Sequence, residues 1–276
     1  MINEIAPAKY DNSFKDIEPR IGDIILCYKD NRILVRRTYD YLELPRFEKI
    51  INARHLFDID DKVFFHVDYN DLYTLDDSYE FIETKALRNV DDIHGLKDRI
   101  MSYAAVCGLH YNYFITHAKY CGVCGNRMVK SKIEMANVCP QCSNTKYPDI
   151  MPAIAVAIIN NDRILLTKYK GRLNANYALV AGYCEVGESL EECVRREALE
   201  ETGLELYDIK YYMSQPWGFS NTMMIGFVAK SYNDNIVLQE DELGYAGWFR
   251  REDVEILNNP TSMSHKIIQD FRNNKI

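Results

Sequence analysis

The chain has 276 residues, 47% of them hydrophobic and 27% charged, with a formal net charge of −8. That apolar content supports more than one packed core, and no stretch approaches the roughly 20 consecutive apolar residues of a membrane-spanning helix. The acidic balance argues against general attraction to nucleic acid or anionic membrane, although a local basic groove stays compatible with it. The opening MINEIAPAKYDNSFKD lacks the apolar stretch of a signal peptide, so a cytoplasmic protein is expected.

Near the N-terminus, Asp23–Tyr28, Arg32–Arg37 and Lys62–Tyr69 read as short β-like runs, and a helix is expected from about Ile93 to His117. Residues 1–117 thus read as an α+β domain, without a catalytic motif that first principles would single out. Cys121, Cys124, Cys139 and Cys142 follow as C-x2-C-x14-C-x2-C within a module expected over 118–147. Paired knuckles at this spacing suit one structural Zn2+ held by four thiolates, which leaves no coordination position open for catalysis. Disulfides are the weaker reading, because cytosolic thiols stay reduced. Cys27, Cys107, Cys184 and Cys193 are scattered and read as small buried hydrophobes.

Over residues 148–276, Pro152–Ile159 and Arg163–Lys168 read as a hairpin around Asn160-Asn161-Asp162, and Tyr177–Ala181 as a further strand. Then comes GYCEVGESLEECVRREALEETGL, from Gly182 to Leu204. Ser189 with Glu192 is a capping-box pair that predicts a helix starting near Leu190, and Gly203 predicts its end near Thr202. Leu190, Val194 and Ala198 give that helix an apolar stripe for docking on a sheet. Glu197, Glu200 and Glu201 fall at i, i+3 and i+4, so three carboxylates crowd one turn. A purely structural helix would avoid that repulsion. Hard divalent cations remove it and bridge carboxylate to phosphate. Arg196, four residues before Glu200, can steady that carboxylate. Strands around Leu206–Met213, Thr222–Ser231 and Ala246–Arg250 and a helix over Met263–Asn273 complete an α/β pattern, a mixed sheet flanked by helices.

Written as G-x5-E-x7-R-E-A-x-E-E-x-G-L, the stretch from Gly182 resembles the Nudix box at every defining position. Past it, SQPWGFSNT (Ser214–Thr222) resembles the SQPWPFPxS signature of the NADH pyrophosphatase branch of Nudix hydrolases, whose members carry a small N-terminal domain and a four-cysteine zinc ribbon. The resemblance implies an α/β/α mixed-sheet Nudix domain behind that ribbon. The implied activity is metal-dependent hydrolysis of the diphosphate of NADH or NAD+ to nicotinamide mononucleotide and AMP, and the same cleavage on NAD-capped RNA 5′ ends is permitted. It assigns Glu197, Glu200 and Glu201 to catalysis. More than one Mg2+ or Mn2+ ion is implied, held by the Ala181 carbonyl, Glu197, Glu201 and Glu242. Substrate contacts are implied at Tyr183, Gln215, Pro216, Trp217, Gly218, Phe219, Ser220, Asn221 and Thr222, at Glu134, Tyr147 and Ser264, and at Arg46 and Arg88. A homodimer is implied as well.

Gly218 and Ser220 stand where the signature has prolines, and Thr222 where it has serine. Gly218 is expected to loosen the segment, read as a loop, and so to admit other diphosphates such as ADP-ribose or dinucleoside polyphosphates. Trp217 and Phe219 keep aromatic faces suited to stacking on a substrate ring. A non-catalytic binding module is the alternative of another class. The intact box argues against it.

Overall fold

A computed structural model describes the chain except for residues 40, 49–51, 73–75, 89–95, 97, 172–175, 240, 242 and 257–259. It divides into two compact units. An N-terminal unit holds residues 2–149 together with 218–221, and a C-terminal unit holds Met1, 150–217 and 222–276.

In the N-terminal unit the strands are β1 (Tyr10–Asp11), β2 (Ile24–Leu26), β3 (Tyr28–Lys29), β4 (Arg32–Arg37), β5 (Leu42–Glu43), β6 (Ala53–Ile59), β7 (Lys62–Val67) and β8 (Tyr79–Glu83). One sheet runs β1-β6-β7-β2; a second runs β3-β4-β5, with β8 on β4. Helix α1 (Arg99–His117) supplies Tyr103, Ala104, Ala105 and Val106 to a core shared with Leu26, Ile33, Leu56, Phe57 and Phe64. The Asp98 side chain accepts from the Met101 amide at 2.7 Å and starts α1 at Arg99, later than the expected Ile93, which itself lies outside the described residues. Strand β6 escapes a pattern search because polar Arg54 and His55 interrupt its apolar run. His55 is nonetheless buried and sits 2.8 Å from Asp58. The ribbon adds β9 (Val129–Lys130), β10 (Asn137–Val138) and β11 (Thr145–Lys146), in the order β11-β10-β9.

The C-terminal unit contains β12 (Met151–Asn160), β13 (Arg163–Tyr169), β14 (Val180–Tyr183), α2 (Leu190–Thr202), β15 (Leu206–Trp217), β16 (Thr222–Ser231), β17 (Leu243–Arg250) and α3 (Met263–Arg272). Its sheet runs β15-β16-β12-β13-β17 with β14 on β12, and the β12–β16 pair is parallel while its other pairs are antiparallel. Strand β12 shows why helices cover both faces. Ile154, Val156 and Ile158 pack in the cluster that holds Val194 and Ala198 of α2, while Ala155 and Ala157 pack with Met263, Ile267 and Phe271 of α3. Larger side chains face α2 and smaller ones face α3, at the period of two that a strand imposes. The result is the α/β/α mixed sheet expected. The turn expected at Asn160–Asp162 is present, with Asn161 left-handed at φ 55°.

The expectation of a loop at the signature changes. Ser214–Trp217 is strand, not loop, because β15 runs on to Trp217 and pairs Ser214 with Ile225, Gln215 with Met224, Pro216 with Met223 and Trp217 with Thr222. The hairpin tip is confined to 218–221.

Candidate active site and zinc centre

Helix α2 begins and ends where its sequence dictates. Ser189 and Glu192 form a reciprocal capping box, and Gly203 closes the helix at φ 69°. Within it, Arg196 is the hub. Its guanidinium donates to Glu188 at 2.5 and 3.0 Å, to Glu197 at 2.8 Å, to Glu200 at 3.0 Å and to the Tyr183 carbonyl at 3.0 Å. One rigid fork thereby ties the loop before the helix, strand β14 and two of the box carboxylates together. Arg196 holds the Glu188 carboxyl down to about 2, and the carboxylates around Arg196 raise its own pKa further. Sequence reasoning paired Arg196 with Glu200 alone. Glu188, a fixed position of the box, was the available signal for the stronger bidentate partner.

The three helix carboxylates differ in setting. The Glu197 side chain is 12% exposed and that of Glu200 52%, whereas Glu201 is 2% exposed overall. Glu197 reaches back over β14: a Cβ on Gly182 would lie 1.9 Å from its Oε1, so only glycine leaves room for this carboxylate beside Ala181. Carboxylates and main-chain carbonyls offer oxygen donors, the set that hard divalent cations prefer. Glu242 lies outside the described residues.

Of the positions tied to substrate in the C-terminal unit, Tyr183 is half-exposed with its hydroxyl 3.4 Å from that of Thr222, which is buried. Gln215 is 1% exposed, and its amide is spoken for: Nε2 donates to the Thr261 carbonyl at 2.9 Å and Oε1 accepts from the Met263 amide at 2.6 Å. It anchors the start of α3, a role no sequence pattern announced. Ser264 sits half-buried in the first turn of that helix.

In the N-terminal unit, Phe219 packs against the α1 core cluster, with the Arg88 guanidinium 4.8 Å over its ring. Gly218 is not a loosening element. A Cβ there would lie 2.2 Å from the Val106 carbonyl oxygen, so glycine serves close backbone approach. Asn221 takes a left-handed φ of 55° and is buried, and Ser220 beside it is half-buried. Glu134 accepts from the Tyr147 hydroxyl at 3.0 Å, which raises the pKa of that tyrosine. Arg46 is exposed and donates to the Gly22 carbonyl at 2.8 Å.

All eight cysteines are free thiols. Cys27 and Cys193 are buried as expected, and Cys107 and Cys184 partly so. The sulfurs of Cys121, Cys124, Cys139 and Cys142 all lie within 4.8 Å of one another, the one such metal-ligating cluster among the described residues. Three contacts, 3.4, 3.5 and 3.6 Å, approach the S···S edge of about 3.8 Å that a tetrahedron of Zn–S bonds requires. Each knuckle turns on a left-handed residue, Gly125 at φ 74° and Ser143 at φ 60°. The Asn126 side chain, with the backbone, lowers the Cys124 thiol, while Cys142, despite a backbone hydrogen bond at Asn144, is raised by the neighbouring thiols and burial. The residues fit a structural zinc.

Comparison with known proteins matches the two modules separately. Residues 149–271 match the NUDIX domain, and residues 117–147 match the NADH pyrophosphatase zinc ribbon domain. The chain is 37% identical to the NAD-capped RNA hydrolase NudC of Shigella boydii over 185 residues, 67% of this chain and 70% of that protein. It belongs to the zinc-ribbon NADH pyrophosphatase subfamily of Nudix hydrolases. NAD-capped RNA hydrolase NudC of Escherichia coli is 39% identical over 163 residues, 59% of this chain and 63% of that one. A solved NUDIX hydrolase from Nitrosomonas europaea is 17% identical, covering 57% of this chain and 92% of its own with a TM-score of 0.47. Among the described residues of this Nudix family member, no helix is long and apolar enough to cross a membrane.

Proposed function

We propose that the chain hydrolyses the diphosphate of NADH or NAD+ to nicotinamide mononucleotide and AMP, and that it removes NAD caps from RNA 5′ ends by the same cleavage. The observation that carries this reading is the coexistence in one chain of an intact Nudix box, organised around Arg196, and the NADH pyrophosphatase zinc ribbon. Relatives named NAD-capped RNA hydrolase support it.

The proposed ligands for Mg2+ or Mn2+, more than one ion, are Glu197, Glu201, Glu242 and the Ala181 carbonyl. When bound, such ions polarise the diphosphate and acidify a water. Gly182 gives Glu197 its place, and one Arg196 nitrogen bridges Glu197 and Glu200 and offsets their mutual repulsion. Glu200, half-exposed, orients the attacking water or completes the metal cluster. The four cysteines hold one Zn2+ per chain, whose role is structural. Division at 1–117, 118–147 and 148–276, a cytoplasmic homodimer, and substrate contacts at the positions given above complete the proposal.

The deciding experiment is product analysis of purified protein with Mg2+ or Mn2+ against NADH, NAD+, ADP-ribose and NAD-capped RNA. Nicotinamide mononucleotide and AMP from NADH or NAD+, and a 5′-monophosphate RNA from the capped strand, are the expected products. Turnover of ADP-ribose alone would overturn the assignment while leaving the Nudix chemistry in place.

A further inference from the structure

The N-terminal unit contains a cleft of about 620 Å3 that the proposed activity does not use. Its walls come from β6, the end of β7 and the turn after it, the C-terminal end of α1, and the ribbon. Four cationic side chains line it, Arg54, Lys119, Arg127 and Lys130, against two carboxylates, Asp68 and Asp71. The chain as a whole carries a net charge of −8, so this excess of cations is not background composition.

Arg54 is the built element. Its guanidinium lies 5.4 Å over the Phe114 ring and donates to the Asn137 side-chain oxygen at 2.8 Å and the Ala136 carbonyl at 2.9 Å. Among the described residues, these partners are all neutral. They fix the fork without cancelling its charge, and burial lowers its pKa to about 10. A partly buried charge without a counter-charge is costly, and an anion in the cleft would remove that cost. The lysines point the same way. Lys119 is 3.8 Å from Asp68 and Lys130 is 3.9 Å from Asp16, both beyond hydrogen-bond length, so their ammonium donors remain available to another acceptor.

We propose that this cleft binds a ligand carrying successive phosphates. Guanidinium and ammonium groups spread over several elements match an extended polyanion better than a single carboxylate. The volume falls in the range of about 300–1,000 Å3 typical of small-molecule sites, more than one phosphate needs. An oligonucleotide strand and a free polyphosphate both present this chemistry. The inference concerns binding alone and stands whether or not the hydrolytic reading holds.

The test uses the full zinc-loaded chain and the anisotropy of a labelled, uncapped RNA of about ten nucleotides, from about 50 to 200 mM salt. Wild type is expected to bind with an affinity that falls as salt rises. The pair Lys119→Glu/Arg127→Glu should weaken binding at least about tenfold and reduce the log–log salt slope by about 1.4, for two lost contacts on a single strand. Arg36→Glu/Lys85→Glu makes the same charge change outside the cleft and should stay within about twofold. If the first pair lowers Tm, Lys119→Gln/Arg127→Gln, which only removes charge, supplies the reading. Displacement by tripolyphosphate assigns the site to phosphates as such; displacement by unlabelled strand alone assigns it to the oligonucleotide. No binding by wild type, or equal losses in the cleft and control pairs, would overturn the proposal.

Discussion

The box helix and the β15–β16 hairpin both carry signature residues, yet they are built by different means. In the box, short-range chemistry fixes everything that matters: a capping box at Ser189, a left-handed Gly203, and an Arg196 whose partners lie within its own turn or the loop just before it, apart from the Tyr183 carbonyl. In the hairpin, position is set by register with β16 and by contacts distant in sequence, such as Gln215 to Thr261 and Met263. A motif organised locally can be read from its own residues. A motif organised by its neighbours can only be recognised.

The sharpest test of that contrast is Glu201→Gln. If the box is the catalytic element, kcat should fall about a hundredfold or more with the fold intact, since shape is kept and charge removed. Activity near wild type at saturating metal would remove Glu201 from the chemistry. Two glycines come next. Gly182→Ala pushes a methyl onto the Glu197 carboxylate, so kcat should drop about tenfold with little change in Tm. Gly218→Ala meets a backbone oxygen, which cannot move aside as a side chain can, so its loss should appear in stability, by about 1–3 kcal/mol. Melting curves and kcat for both variants decide it; the reverse pattern would break the comparison. Trp217→Ala should lower kcat/KM for NADH several-fold, ~1 kcal/mol of lost stacking, and spare ADP-ribose, which lacks the nicotinamide. Equal losses would mean that Trp217 does not read that ring.

The smallest effect is a pH dependence. Glu188 is held from its ordinary 4.5 down to about 2 by Arg196, so the pair's stabilisation is fully present above pH 4.5 and lost as pH falls toward 2. In Arg196→Gln, the acid limb of Tm against pH should flatten across that window. An unchanged limb would show that other carboxylates govern it.

Most of the C-terminal unit and the ribbon were legible for the reason the comparison gives. Helix α2 and strand β16 fall on their predicted residues, and the four cysteines meet as their spacing implied. The failures share a cause too. Strand β6 hides behind polar Arg54 and His55, each buried or held by a partner far from any local pattern. Gly218 looked like freedom because Val106, the atom group it must pass, is more than a hundred residues away along the chain. The structural role of Gln215 was hidden because Thr261 and Met263, the partners of its amide, lie 46 and 48 residues further along the chain.

Strand β12 sits at the centre of its sheet, yet its long parallel partner β16, pairing Met151 with Thr222 through Ile159 with Lys230, is made only after the whole box. A ribosome therefore delivers the box carboxylates before the strand that completes the scaffold beneath them. Closing so distant a pair is slow relative to forming a local turn. During that interval α2 has its caps and Ile154, Val156 and Ile158 of β12 to dock on, while Ile225, Phe227 and Ala229 of β16, members of the same cluster, are still to come. Chain synthesis itself thus separates in time the appearance of the box carboxylates from the moment they can act together.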